Sequence, residues 1–337
     1  MIVKPLPLLI AKPLNSDREM DVSIQNFNTV WLKKHEYDDS KIFYHYTNIE
    51  GFKGIIQNRS LWFTHIAYLN DPNEWLYGKN LILDEILTIE RTEKNKDVLG
   101  ILERLKDFVN ALKKTLHHPY VACFCENENS LNQWRAYSSA RGYNLGLDLS
   151  SSTKYSHLKD GLANTSNFIL RKVIYDRAEQ EKLVKDFFNS VFQSLKDTSY
   201  STGIIEPSRN VSYAVAMMNL LYDFIVSFKN EAFKTECEWR LIFSSLPNNK
   251  VGLLKFREIE KEMVPFYEAF IYRVDNVQDQ LDYSFPLKQI YYSPMLETEK
   301  TEFVLRMFLN SEAKTTHPIK LNAENIKIQG TGYSLRK

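Results

Sequence analysis

A short aromatic stretch near the start of the chain holds the first residues that could carry chemistry. Tyr44, His45, Tyr46 and Thr47 end a run of strand character that leads into a predicted helix. In a strand, His45 and Thr47 would share one face, and Tyr44 and Tyr46 the other. A strand end beside free helix amides suits an anionic or ribose-bearing ligand. A core strand with a hydrogen-bonded histidine explains the same pattern, so both interpretations stay open.

A charged row late in the chain is the second candidate. Glu236, Glu238 and Arg240 alternate with apolar residues in a predicted strand over residues 236–243, which places all three on one face. The strand rise would separate the two carboxylates by about 7 Å. A solvent-facing edge strand explains such a row. The apolar residues that follow instead indicate a strand running into the interior, and a charged row at its mouth would suit a site.

The third candidate combines aromatic and polar residues between Asn129 and Tyr143. Rings interleaved with guanidinium groups suit a pocket that stacks a ring and pairs a phosphate. Ordinary packing of a short helix is the competing interpretation. The residues concerned are Gln133, Trp134, Arg135, Tyr137 and Arg141.

Three helix starts are predicted from capping patterns, in which a short polar side chain and a carboxylate or amide three residues later satisfy free amides. These patterns favour structural roles, and we interpret the acidic pair at 71 and 74 as caps rather than metal ligands. The pairs are Thr47 with Glu50, Asp71 with Glu74, and Ser130 with Gln133.

The elements that must position these residues alternate irregularly along the chain. Strands separated by helices of unequal length favour an α+β fold over a regular doubly wound sheet. We predict an N-terminal extension over residues 1–40, a core domain over 41–300, and a C-terminal tail over 301–337 that packs on the core. The predicted strands lie near 42–46, 61–64, 120–125, 143–149, 171–175, 236–243, 266–272 and 289–292, and the main helices at 74–116 in two parts, 179–195 and 211–228.

Composition narrows the classes of function. The net charge of +1 excludes a whole-surface field strong enough to hold nucleic acid or an anionic membrane. No apolar run approaches the ~20 residues of a membrane helix, and three cysteines without a framework spacing indicate a reducing compartment. We therefore expect a cytoplasmic protein without a metal. Glycine-rich phosphate loops, Gly-x-Ser-x-Gly elbows and His-Glu-x-x-His motifs are absent from the sequence.

Five blocks follow one another in order over about residues 41 to 295. They are Phe43–Thr47, Leu69–Glu74, Cys123–Cys125 with Ser130–Tyr137 and Arg141-Gly142, Glu236–Ile242, and Ile290–Pro294. Together they resemble the bacterial domain-of-unknown-function family 2971 (DUF2971), whose members often look like parts of phage-defence systems. Gln133 and Ser293 depart from the family pattern, where methionine and glycine are usual.

A second resemblance is to ADP-ribosyltransferase folds, which place a histidine or arginine on a first strand and a glutamate on a late one. It implies a mixed, largely antiparallel sheet split around a cleft with flanking helices, and NAD as the substrate. His45, Glu236 and Glu238 would then be catalytic, with a carboxylate stabilising the oxocarbenium-like transition state. The predicted NAD-binding residues are Tyr46, Thr47, Trp134, Arg135, Tyr137 and Arg240.

The functional prediction that follows is an NAD-consuming enzyme, of transferase or glycohydrolase type. It would act as a toxin or effector in anti-phage defence, on a protein or nucleic-acid target and with other defence proteins as partners. One alternative is a non-catalytic sensor or scaffold. Another is a metal-dependent nuclease built from Asp71, Glu74, Asp148 and the pair of carboxylates at 236 and 238.

Overall fold

The structure is a computed structural model. It describes residues 41–71, 73–111, 119–138, 141–150, 153–156, 168–202, 207–243, 254–259, 261–277 and 280–331. The predicted extension over residues 1–40 lies outside the described residues. The division of the chain into extension, core and tail stays a prediction.

Within these described ranges, twelve strands form one sheet, and helices flank it. The strands are β1 (Ile42–Thr47), β2 (Ser60–His65), β3 (Tyr120–Cys125), β4 (Tyr143–Asp148), β5 (Thr153–Ser156), β6 (Phe168–Lys172), β7 (Glu238–Phe243), β8 (Leu254–Ile259), β9 (Glu262–Val277), β10 (Gln280–Ser284), β11 (Leu287–Tyr292) and β12 (Lys327–Gly330). The α-helices are α1 (Ile49–Asn58), α2 (Glu74–Glu90), α3 (Lys96–Ala111), α4 (Leu131–Tyr137), α5 (Arg177–Thr202), α6 (Pro207–Ser227) and α7 (Thr298–Ala313). Short 3-10 helices cover Ile66–Tyr68, Glu231–Glu236 and Ala323–Asn325.

The sheet is open and almost wholly antiparallel. Its main path runs β10-β9-β2-β3-β1-β4-β11-β12, with β7 beside β3, β6 beside β7, and β5 and β8 beside β9. The pairing of β11 with β12 is parallel. The predicted α+β class with a mixed, largely antiparallel sheet is therefore confirmed.

The sheet divides at β3. Strand β7 pairs with β3 along its whole length, from Tyr120 to Cys125, and so fills one edge. The other edge is shared, because β2 pairs with Tyr120 and Val121 while β1 pairs with Cys125. Between these contacts, no strand of the described residues covers the middle of that edge. There the ring of His45 reaches across, and its Nδ1 lies 2.9 Å from the carbonyl oxygen of Cys123.

Two apolar cores lie on opposite faces of the sheet. Val121 and Ile242 belong to the core made with helices α2, α3, α5 and α6, whereas their neighbours Ala122 and Leu241 belong to the core made with α1 and α7. Successive strand residues point to opposite faces, so this alternation separates the two layers. Tyr44 and Tyr46 form a smaller aromatic cluster, also apart from the α1 and α7 core.

The first predicted helix cap is wrong by one residue. Thr47 ends strand β1, and Asn48 is the N-cap of α1, where its side chain accepts a hydrogen bond from the amide of Gly51 at 2.8 Å. Asparagine satisfies the third helical amide as well as threonine would. The predicted reciprocal bond from Glu50 is therefore not needed.

The second predicted cap is also wrong, whereas the third is confirmed in position, with Ser130 as the N-cap, but lacks the predicted side-chain bonds. Helix α2 begins at Glu74 with Asn73 as its N-cap, and Asp71 instead accepts from the amide of Asn73 at 2.9 Å. Ser130 precedes α4 without a side-chain cap bond, and Gln133 donates to the carbonyl of Glu236 at 3.2 Å. Glu74 and Gln133, which the sequence assigned to helix caps, are therefore buried instead.

Candidate active site

A cavity of about 270 Å³ opens beside the divided edge of β3. Six of the nine predicted site residues line it, and they come from widely separated parts of the chain. They are His45, Tyr46, Tyr137, Glu236, Glu238 and Arg240.

Arg240 holds the buried wall of this cavity. Its side chain is 0% exposed, and its Nε and Nη2 donate to the two carboxylate oxygens of Glu238, each at 2.9 Å. Nη2 also donates to Glu74, and Nη1 donates to the carbonyl of Val226 at 2.5 Å. The guanidinium is thus fully enclosed by acceptors from β7, α2 and α6.

Lys229 joins three carboxylates. Its Nζ lies 2.9 Å from Glu238, 2.5 Å from Glu236 and 3.5 Å from Glu74, and its side chain is 6% exposed. Burial alone would lower the pKa of this lysine, but the surrounding carboxylates raise it above its ordinary value. Lys229 is therefore a fixed cation rather than a nucleophile or a base.

Three carboxylates and two cations make up this charged cluster, defined by Glu74, Lys229, Glu236, Glu238 and Arg240. Burial would raise the pKa of Glu238, but Arg240 and Lys229 lower it to about 2, so Glu238 is ionised. Burial raises the pKa of Glu74 despite the neighbouring guanidinium. The raised pKa of Glu74 favours its protonated form, which reduces the excess negative charge of the cluster while Glu238 stays ionised. Burying five ionisable groups costs desolvation that their pairing only partly offsets, which is more typical of a functional site than of a stabilising core.

The ionisation of Glu238 predicts a specific pH dependence of stability. Its pKa is lowered from 4.5 to about 2, so its contribution is complete above about pH 4.5 and is lost as the pH falls towards 2. Between pH 7 and pH 3 this amounts to on the order of 2 kcal/mol. Urea unfolding at both pH values should show a smaller acid loss in Glu238→Gln than in wild type. Equal losses would contradict the assignment, and Glu103→Gln on the exposed face of α3 is the control.

Glu236 differs from Glu238 in position and exposure. The strand begins at Glu238, not at Glu236 as predicted, because Glu236 ends a 3-10 helix and Cys237 has a left-handed backbone with φ 46°. That turn, together with Lys229, brings the two carboxylates together. The side chain of Glu236 is 19% exposed against 7% for Glu238, and Tyr137 lies 3.5 Å away through its hydroxyl.

His45 is partly buried in the divided edge of the sheet. A carbonyl oxygen only accepts, so the bond to Cys123 places the proton on Nδ1 and leaves Nε2 as an acceptor. The ring also packs at 5.7 Å from Phe124. Burial lowers the pKa of His45, with the carbonyl of Cys123 opposing this, so the ring is neutral near pH 7. His45 therefore both closes the sheet and borders the cavity.

The aromatic residues of the third stretch separate into two groups. Tyr46 lines the cavity, while Trp134 is 1% exposed and packs against Tyr46 with ring centres 5.1 Å apart. The indole Nε1 donates to Asn129 at 2.9 Å. The structure thus places Trp134 behind Tyr46, where it supports the cavity wall rather than facing a ligand.

Besides Trp134, two predicted NAD-binding residues lie away from the cavity lining. Thr47 is at the end of β1 and is only partly buried, and Arg135 is exposed on α4. Arg240 lines the cavity, but its donors are already engaged by carboxylates. Neither Arg135 nor Arg240 therefore offers a free guanidinium at the cavity wall for the predicted pairing with a pyrophosphate.

The cavity brings together four of the five residues of the nuclease alternative, Asp71, Glu74, Glu236 and Glu238, but not Asp148. Asp148 instead accepts a hydrogen bond from Arg273 and lies 3.9 Å from Lys288. Among the described residues there is no group of three or more histidine, cysteine, aspartate or glutamate side chains that could hold a metal.

Sequence reasoning missed Lys229 and misassigned Glu74. Lys229 follows an apolar run in α6 and the adjoining residues, and a lysine directly after such a run is a weak signal of a buried cation. The burial of Glu74 was not recognised because an acidic residue at a helix start is explained by capping alone. Both were identified only by their contacts with the strand residues Glu238 and Arg240.

Comparison with known proteins supports part of the resemblance. A model of the family described as "Protein of unknown function (DUF2971)" matches residues 133–241. This segment holds α4 from Gln133 onward, Lys229 and the row from Glu236 to Arg240, but not His45 or Glu74. No curated protein and no solved structure matches the chain. None of the described helices is both long and apolar enough to cross a membrane.

Proposed function

We propose that the cavity binds NAD and cleaves the bond between nicotinamide and ribose. The observation that carries this proposal is that His45, Tyr137, Glu236 and Glu238 line one cavity although they come from β1, α4, a 3-10 helix and β7. The ADP-ribose would pass to water or to a macromolecular acceptor. The type of reaction is taken from the predicted resemblance to ADP-ribosyltransferase folds, and the charged cluster contains the carboxylates that this reaction needs.

The reaction needs a carboxylate beside the ribose. The bond from ribose C1′ to the nicotinamide nitrogen breaks, its electron pair stays on that nitrogen, and positive charge develops on the ribose. An acceptor oxygen or nitrogen then bonds to C1′ and releases a proton to solvent. A fixed anion next to the ribose lowers the barrier because its attraction to the ribose is stronger in the transition state, where the ribose is positively charged, than in the ground state.

Glu236 is the better candidate for direct contact with the ribose. Both oxygens of Glu238 accept hydrogen bonds from Arg240, and Lys229 neutralises it further. Glu236 is paired with Lys229 and is more exposed to the cavity. We therefore assign Glu236 as the catalytic carboxylate and Glu238 as a positioning residue that fixes Lys229 and Arg240.

The size of the cavity limits what it can enclose. Pockets for drug-sized ligands span about 300–1,000 Å³, and about 270 Å³ lies just below that range. The cavity therefore suits the nicotinamide and its ribose rather than the whole dinucleotide. Tyr46 and Tyr137 would border the ring, and the Nε2 acceptor of His45 would face a donor amide or hydroxyl.

The test is release of nicotinamide from NAD, measured by chromatography. We expect release by the full chain, alone or with cell lysate, and label transferred from NAD onto the protein or nucleic-acid fraction if the acceptor is macromolecular. The double variant Glu236→Gln/Glu238→Gln should release less than about one hundredth as much. Glu231→Gln, exposed on the same 3-10 helix, is the matched control and should be unchanged. Equal release by wild type and the double variant would contradict the proposal.

A second candidate function is a non-catalytic sensor or scaffold. It is favoured by the complete pairing of Glu238 and by the use of His45 to close the sheet. Such a protein would bind NAD or ADP-ribose without consuming it. As an effector of anti-phage defence in the cytoplasm, an active enzyme should instead slow the growth of cells that express it, and the double variant should not.

A further inference from the structure

A second depression adjoins the cavity. It has a volume of about 500 Å³ and is lined by Tyr44 and by the loop from Glu126 to Leu131. Tyr44 also lines the cavity, so the two spaces meet at this residue. Together they provide the volume that a dinucleotide requires and that the cavity alone lacks.

Glu128 is held in this depression by two tyrosine hydroxyls. Tyr291 donates to its carboxylate at 2.8 Å and Tyr44 at 3.4 Å. Burial raises the pKa of Tyr44 to about 12, which keeps its hydroxyl protonated as a donor. Two donors from different strands fix the direction of the carboxylate even though the residue is exposed.

Glu128 also has no ion pair in the described part of the chain. Its neighbour Glu126 is different, because Lys41 and Lys172 each lie 2.9 Å from the carboxylate of Glu126. The depression therefore carries one uncompensated negative charge at a fixed place. A phosphate would be repelled there, whereas a hydroxyl would find an acceptor.

The loop that carries Glu128 is itself fixed from below. Tyr46 donates to the carbonyl of Asn127 at 2.8 Å, and Asn144 donates through Nδ2 to the carbonyl of Glu128 at 2.7 Å. Asn144 is fully buried, and its Oδ1 has no hydrogen-bond partner among the residues that the structure describes. A buried acceptor without a donor among the described residues thus lies beneath the same loop.

We infer that Glu128 determines specificity for NAD over the 2′-phosphorylated dinucleotide NADP, an inference that rests on the proposed function. With the nicotinamide end in the cavity, the adenosine end of the substrate lies in the depression. A carboxylate there accepts from the ribose 2′-hydroxyl, as acidic residues do in other dinucleotide sites, and repels a 2′-phosphate. The absence of a paired cation makes this discrimination electrostatic.

The test compares NAD with NADP in wild type, Glu128→Gln and Glu128→Arg. Binding is measured by calorimetry and turnover by nicotinamide release, at low and high salt. We expect wild type to prefer NAD, Glu128→Gln to reduce that preference by about tenfold or more, and Glu128→Arg to reverse it. High salt should weaken the preference in wild type but not in Glu128→Gln. Glu103→Gln is the control with an equal change of charge.

The outcomes separate the two proposals. If wild type consumes NAD and the preference is unchanged in Glu128→Gln and Glu128→Arg, the role of Glu128 is wrong and the proposed function stands. If NAD is bound with the expected discrimination but never consumed, the specificity stands and the catalytic proposal is wrong. If neither dinucleotide is bound or consumed, both are wrong. Thermal unfolding of each variant checks that its fold is intact.

Discussion

Replacing Arg240 with leucine should lower the free energy of unfolding by about 3–5 kcal/mol. The guanidinium is 0% exposed and donates to Glu74, Glu238 and the carbonyl of Val226. Leucine would leave two buried carboxylates with Lys229 as the remaining cation of the charged cluster. Unpaired buried charge is far more unfavourable than a lost surface contact, which is the reason for the size of the effect. Urea unfolding at pH 7 measures it.

The matched control is Arg104→Leu. Arg104 pairs with Asp107 at 3.6 Å on the surface of α3, with side chains 50% and 66% exposed. An exposed pair of this kind contributes about 0–1 kcal/mol. If Arg240→Leu lost no more stability than this control, the charged cluster would not depend on the guanidinium.

The strands and long helices of the protein could be predicted because their patterns are local. The apolar spacing at 211–228 predicted α6, which spans Pro207–Ser227, and the break predicted near residues 95–100 lies a few residues earlier, between Glu90 and Lys96. Helix caps were predicted less reliably. Several polar residues stood near the first two predicted helix starts, and the sequence did not show which of them would be the cap.

The candidate site was predictable only in part, because its residues meet through long-range contacts. Glu238 and His45 were chosen from strand-end patterns, and the structure places both beside the cavity. Glu74 has no local pattern that indicates burial, and Lys229 has only the weak one of an apolar run before it. Their positions depend on α6 and α2 packing against β7, which no short stretch of sequence encodes. The sequence also did not distinguish Trp134 from Tyr46, because either ring could have faced the ligand. In the structure Tyr46 lines the cavity and Trp134 packs behind it.

Assigning distinct roles to the two carboxylates predicts distinct effects on turnover. Glu236→Gln should lower kcat/KM for NAD by about 100-fold or more, because a preorganised charge at the ribose contributes about 2.7 kcal/mol to the barrier. Its stability should stay close to wild type, since Glu236 is the most exposed carboxylate of the three. Nicotinamide release and urea unfolding, measured on the same samples, test both statements.

Glu238→Gln should lower stability and turnover together, with a loss of stability on the order of 3 kcal/mol. Both oxygens of Glu238 hold Arg240, and one also holds Lys229, so an amide would free a cation next to Glu236. Lys229 would then pair more closely with Glu236 and reduce its negative charge. The loss should therefore appear mainly in kcat, whereas a purely structural role would leave kcat per folded molecule unchanged. Full turnover in Glu236→Gln, with none in a folded Glu238→Gln, would reverse the two assignments and make Glu238 the carboxylate that contacts the ribose.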